Sequence, residues 1–257
     1  ISRILVKIQV CVVAYMVIIM CWPTNSAASA PVSPSPQIRK PTNEALAHGR
    51  LQTERMLHDL PAMRLWLTKD NPFYDFAVQH YAADATGRRI YWIPFEDNAW
   101  ESRGVNAVSA TAKGDYCGSI SIRKIDFRTK KPLAAENLWV CLVFECFNTF
   151  DSDRCNKIKS DGISGKLNRE QFILKCSEYE YISAKETNRF YLTKVVPWAK
   201  KIRIRTNGFH WYQNIPPTFE QDMKYFQDRS KYPWSFFGTY YDTFIVKEQK
   251  KIRVHHK

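Results

Sequence analysis

The sequence predicts an α+β fold, with a small mixed or antiparallel sheet packed on a buried helix over 134–149 and a long helix over 168–196. Three observations predict it. Residues 134–149 ("AAENLWVCLVFECFNT") are apolar on every side, as in a helix enclosed on all its faces. Upstream lie three short segments of strand character, 89–95, 105–111 and 117–127, rich in aromatic and β-branched residues or alternating apolar with polar. Downstream, Asn168 followed three residues later by Gln171 marks a helix N-terminus, with Leu167 and Phe172 as the flanking hydrophobic staple.

The other elements follow in chain order. Residues 1–30 read as a secretory signal peptide: Arg3 and Lys7, an apolar run from Ile8 to Trp22, then small residues closing on Ala28-Ser29-Ala30. The run is short for a membrane span. No later segment is long and apolar enough for one, so no transmembrane span is expected after signal cleavage. Residues 31–42 carry Pro31, Pro34, Pro36 and Pro41 and read as an extended linker. A single α+β domain is expected over 43–257: helical over 43–86, strands over 88–127, the helix pair over 134–196 and an aromatic-rich region over 202–246. Within it, Pro61 is expected to break a helix over 44–60. Asn71-Pro72 is a second helix start, a capping Asn followed by Pro at the first helical position. Residues 151–166 are polar, contain Gly162 and Gly165, and read as a loop. A calcium loop ending here would place its ligands at Ser160, Gly162, Ser164 and Gln171, none of them a carboxylate, so calcium is not expected. Pro197 is expected to end the long helix.

The formal net charge is +13, falling to +11 without Arg3 and Lys7. On a protein secreted or held in a periplasm or bacterial envelope, this favours an anionic envelope polymer or an acidic protein as partner, and nucleic acid is not expected. Lys200, Lys201, Arg203 and Arg205, followed by Trp211 and Tyr212, are candidate binding residues: cations that attract and rings that stack. The competing reading puts those rings in the core. Beyond the signal lie Cys117, Cys141, Cys146, Cys155 and Cys176, an odd set whose pairing stays open and whose gaps do not match zinc-ligand spacing. There is no G-x-S-x-G elbow and no glycine-rich phosphate loop. A nucleophile built from Cys117 with His80 or His210 has residue type alone in its favour.

The most informative stretch is "LVFECFN", residues 142–148, where Glu145 interrupts an apolar run. A carboxylate buried there is costly unless it is paired. Arg123, Lys124, Arg189 and Lys194 are candidate basic partners for a structural charge. A second reading starts from the window Phe144-Glu145-Cys146-Phe147-Asn148. Zinc peptidases place H-E-x-x-H on a buried helix, with the Glu as general base between two ligating His. Here Glu145 is in register, and Phe144 and Asn148 stand in place of both His. Glu178 and Glu180 follow on a later helix, which is where a third ligand comes from. On these residues, the region 73–200 resembles a gluzincin-like zinc metallopeptidase domain with a decayed metal site.

The resemblance implies a zincin-like fold, Glu145 at the catalytic position, and Glu180 or Glu178 at the third-ligand position. It also implies a pseudoenzyme without cofactor, with zinc as the alternative, because Phe144 cannot bind metal and Asn148 is a poor zinc ligand. Two functions follow. One is an exported, non-catalytic protein that binds an anionic polymer or a protein partner. The other is a peptidase- or glycosidase-like hydrolase using Glu145 as general base.

Overall fold

The computed structural model describes residues 41–95, 104–108, 116–126 and 129–255. The signal and most of the linker lie outside the described residues. Helix α1 (Asn43–Asp59) starts where the Thr42 side chain accepts a hydrogen bond from the Ala45 amide at 3.2 Å. It stops at Leu60, and a 3-10 helix (Pro61–Trp66) follows. Helix α2 (Phe73–Ala82) begins as the Asn71-Pro72 pair predicts: Asn71 Oδ1 accepts from the amides of Phe73 and Tyr74, both at 3.0 Å. Helices α1 and α2 cross at Gly49, where a Cβ would stand 2.1 Å from the Val78 carbonyl oxygen. Only glycine permits that approach.

Strands β1 (Arg89–Trp92), β2 (Gly104–Val108) and β3 (Tyr116–Ile122) form a mixed sheet in the order β1-β3-β2. The central β3 is parallel to β1 and antiparallel to β2. Strand β1 is an edge, and an edge presents backbone groups that need partners. Helix α1 supplies them: Gln52 Oε1 accepts from the Trp92 amide at 3.1 Å, and His48 Nε2 donates to the Ile90 carbonyl at 2.9 Å. Ile90, Trp92, Ile120 and Ile122 are buried toward the core.

Helix α3 (Ala135–Phe150) is enclosed, as its composition predicts. It packs on β2 and β3, on the 3-10 helix, on α2 and on a later helix. Leu138, Trp139, Leu142, Val143 and Cys146 are buried along it. The Trp139 indole donates to the Met63 carbonyl at 3.0 Å, and the Phe73 ring stacks on Trp139 at 4.7 Å.

Two expectations fail here. The polar segment 151–166 is not a loop: Ser152–Ile163 is a helix, α4. The Asp151 side chain accepts from the Arg154 amide at 3.2 Å, Lys157 pairs with Asp161 one turn on at 2.9 Å, and Ile158 is buried against Phe172 and Ile245. A cap, an i,i+4 pair and one buried anchor outweigh the weak helix propensity of the stretch. Helix α5 (Arg169–Phe190) starts with the predicted reciprocal cap: Asn168 Oδ1 accepts from the Gln171 amide at 2.9 Å, and Gln171 Oε1 accepts from the Asn168 amide at 3.0 Å. It does not end at Pro197. A π-turn (Tyr191–Val195) leads straight into α6 (Val196–Ile202). The ladder changes register at the π-turn, and Pro197 falls in the first turn of α6, where a missing N–H is tolerated.

The aromatic-rich region is helical in part, with α7 (Phe219–Met223), α8 (Trp234–Tyr240), a second π-turn (Tyr241–Ile245) and α9 (Val246–His255). Among the described residues no helix is long and apolar enough to cross a membrane.

Asp84 fastens the turn between α2 and β1 to the start of α4. Its carboxylate accepts from the Thr86 amide at 2.9 Å, the Thr86 hydroxyl at 2.7 Å, the Arg88 amide at 2.9 Å and the Ser152 hydroxyl at 2.5 Å. Burial pushes its pKa up, but the hydrogen bonds, led by those from Ser152 and Thr86, outweigh burial and hold it below the ordinary value. Stability from this depressed pKa is present above about pH 4 and is lost as pH falls through the folded-state value. Asp84→Ala is expected to cost about 2–4 kcal/mol in urea denaturation at pH 7, by leaving buried donors unpaired. The deficit should shrink on acidification, and a deficit that does not change with pH would contradict this role.

A buried carboxylate pair as candidate functional site

Helical spacing puts Phe144, Glu145 and Asn148 on one side of α3. Glu145 is 5% exposed and Asn148 4%. Phe144 is also buried and stacks on the Tyr212 ring at 5.4 Å. Helix α5 covers this region. The Tyr179 hydroxyl lies within donating reach of the Asn148 carbonyl and of the Asp151 carbonyl, the latter at 3.0 Å, so it closes the end of α3.

Glu180, the next residue, meets the field of Glu145. Some surface of the residue stays exposed, but its carboxyl is densely surrounded. Burial first, and then the Glu145 charge, push its pKa up to about 8. Glu180 is therefore protonated at neutral pH. Burial, again followed by Glu145, raises the Cys146 thiol well above its usual range. Asn148 Oδ1 is buried with no hydrogen-bond partner.

The two candidate glutamates of α5 differ in their surroundings. Glu178 is half-buried and bound to Arg154 at 3.3 Å and Lys175 at 3.0 Å. Among the basic residues considered for Glu145, Arg189 pairs with Glu186 at 2.6 Å and Lys194 is exposed. A neutral carboxylic acid beside a second carboxyl can share or donate a proton. Zinc does not fit this set: Phe144 has no donor atom and is already packed on Tyr212. Among the described residues no three His, Cys, Asp or Glu side chains converge to hold a metal ion.

The expected basic and aromatic surface forms only in its basic half. Lys200, Lys201, Arg203 and Arg205 are exposed, with Arg203 at a left-handed helix end (φ 57°). Lys201 pairs with Asp70 at 2.7 Å. Trp211 is a correction: it is fully buried, stacks on Tyr191 at 5.4 Å, and donates its indole N–H to Glu136 at 2.9 Å. It is closed to any external ring. Tyr212 lies against Phe144, so it too faces inward. His80 donates to the Phe76 carbonyl at 2.9 Å, and burial pulls its pKa down to about 4, which makes it a neutral structural group. The Cys117 side chain lies outside the described residues. Tyr179 had no signal in the sequence, since one tyrosine on a mixed helix face looks like any other.

A carboxyl whose folded pKa is raised binds its proton more tightly when folded. Its stabilising contribution is complete below the unfolded value near pH 4.5 and is lost as pH rises toward 8. Wild-type Tm is therefore expected to fall between about pH 5 and pH 9. Glu180→Gln should flatten that fall, with a gain on the order of 3 kcal/mol at pH 9. Parallel Tm profiles for the two proteins would refute the buried acid. Comparison with family models, with curated proteins and with solved structures finds no match, so the reading of this site rests on its own residues.

Proposed function

We propose that this is an exported, non-catalytic protein that binds an anionic polymer, with a zincin-like arrangement retained around a site that does not hold metal. The observation that carries the non-catalytic reading is Phe144, buried against Tyr212 where a ligating side chain would be needed. The zincin-like part is supported by the order of strands, buried helix and later helix, and by the effect of the Glu145 charge on Glu180. Export is supported by the basic, apolar and small-residue pattern of 1–30. Polymer binding is supported by Lys200, Arg203 and Arg205, which are exposed and bind no carboxylate among the described residues, and by the strongly positive net charge. An acidic protein would be attracted by the same cations.

A second reading is a hydrolase in which neutral Glu180 gives a proton and Glu145 takes one. The raised pKa of Glu180 favours it. The burial of Glu145 weighs against it, since a substrate has to reach the base.

Inorganic polyphosphate serves as the probe. Binding to the full chain should weaken with salt, and Lys200→Ala, Arg203→Ala and Arg205→Ala together should make the log–log salt slope shallower by about 2. An unchanged slope removes these residues from the binding surface. Elemental analysis of the same preparation is expected to find no zinc, and stoichiometric zinc would overturn the non-catalytic reading.

A further inference from the structure

Helices α4 and α5 form an antiparallel hairpin closed by residues 164–168. Three contacts set its register. Nearest the turn, Ile158 packs with Phe172. Farther along, Arg154 pairs with Glu178 at 3.3 Å. At the open end the Tyr179 hydroxyl donates to the Asp151 carbonyl at 3.0 Å. Cys155 lies three residues before Ile158, and Cys176 lies four after Phe172. One turn along each of two antiparallel helices, starting from a touching pair, brings these positions level with each other. Cys176 packs against the Ile158 and Phe172 cluster together with Tyr240, whose ring stacks on Phe172 at 6.1 Å. The electrostatics agree with the register: burial, then Cys155 and Cys176, push Tyr240 up to about 12, and on Cys176 burial comes first and Cys155 is the largest electrostatic influence after it. Both cysteines are part-buried thiols.

We propose that Cys155 and Cys176 are a redox-active dithiol that a low-molecular-weight disulfide oxidises to a bond across the α4–α5 hairpin. The Cys155 thiolate attacks one sulfur of the reagent, forming a mixed disulfide and releasing one thiol. The Cys176 sulfur then attacks Cys155, the second reagent thiol leaves, and each protein proton ends on a released thiol. Two electrons pass from the protein sulfurs to the reagent. Burial first raises the Cys155 thiol, with Asp151 and Glu180 adding to it, but Lys159, one turn along α4, is the next-largest influence and works the other way; Cys155 is therefore the first attacker of the two. On Cys176, burial comes first, then Cys155 and Glu180, and together they hold the thiol far above its usual range. The bond would fix the turn of α5 that carries Glu180. None of this depends on export or on polymer binding.

The test uses the full chain, reduced and then incubated with oxidised glutathione. Free thiols are alkylated under denaturing conditions and the peptides are mapped by mass spectrometry. The expected result is a linked peptide joining Cys155 to Cys176 and a Tm higher by about 5–10 °C. Cys155→Ser and Cys176→Ser should each abolish the Tm rise, whereas Cys141→Ser should keep it. The mapping needs no variant, so it stands even if a serine variant fails to fold. Glutathione adducts on the two cysteines without a link, a link to another cysteine, or both thiols fully alkylatable after oxidation would each overturn the pairing.

Discussion

Helix α3 has no polar face, and a helix of that kind has to be covered all the way round. Each of Leu138, Trp139, Leu142 and Val143 gains about 1.5–3 kcal/mol when taken out of water. That gain holds the sheet on one side, the 3-10 helix and α2 on another, and α5 on the side that carries Glu145. The same coverage creates the site. Once α5 packs on α3, Glu180 lies close enough to Glu145 to feel its charge. Burial of the Glu180 carboxyl first, and then the Glu145 charge, make its ionisation costly, so Glu180 holds its proton.

Polar groups elsewhere are arranged to let the apolar layers meet. Gln52 and His48 satisfy the outer edge of β1, so α1 can lie against it without stranding backbone groups. Asp84 gathers Thr86, Arg88 and Ser152 at the junction of α2, β1 and α4. Glu136 accepts from the Asn207 amide at 2.7 Å and from the Trp211 indole, which lets a bulky polar ring enter the core fully paired. The basic residues that precede Trp211 stay outside, because a lysine or arginine head is too costly to desolvate without a partner. A segment that alternates cations with rings has therefore been divided between solvent and core.

That division shapes the functional reading. A binding surface made of cations without accessible rings attracts by charge, so its affinity is salt-sensitive and tolerant of ligand detail. The carboxylate pair faces the opposite way, into the packing of α3 and α5. Phe144 there is stacked on Tyr212 and brings no atom that could bind a metal. The two features make separate demands on a partner.

The sequence by itself determined what depends on a few neighbouring residues. Burial of 134–149 shows in apolar residues on every side of the helix. The helix starts at Asn71 and at Asn168 with Gln171 are legible because a cap is a hydrogen bond between groups at most three residues apart. The tertiary structure decided everything that depends on distant groups. The polar segment 152–163 became a helix because Ile158 found Phe172 and Ile245, and β3 took the centre of a mixed sheet because pairing joins residues far apart in the chain. Continuation of the helix past Pro197 also went against the local signal, since a π-turn and the packing of Tyr191 and Val195 keep the axis going. Glu145 and Glu180 were each visible as a carboxylate on an apolar face, and the resemblance placed them at one site, but periodicity alone did not say that one would act on the other. Periodicity tells which side of a helix is buried; only the packing of two helices tells what that side meets.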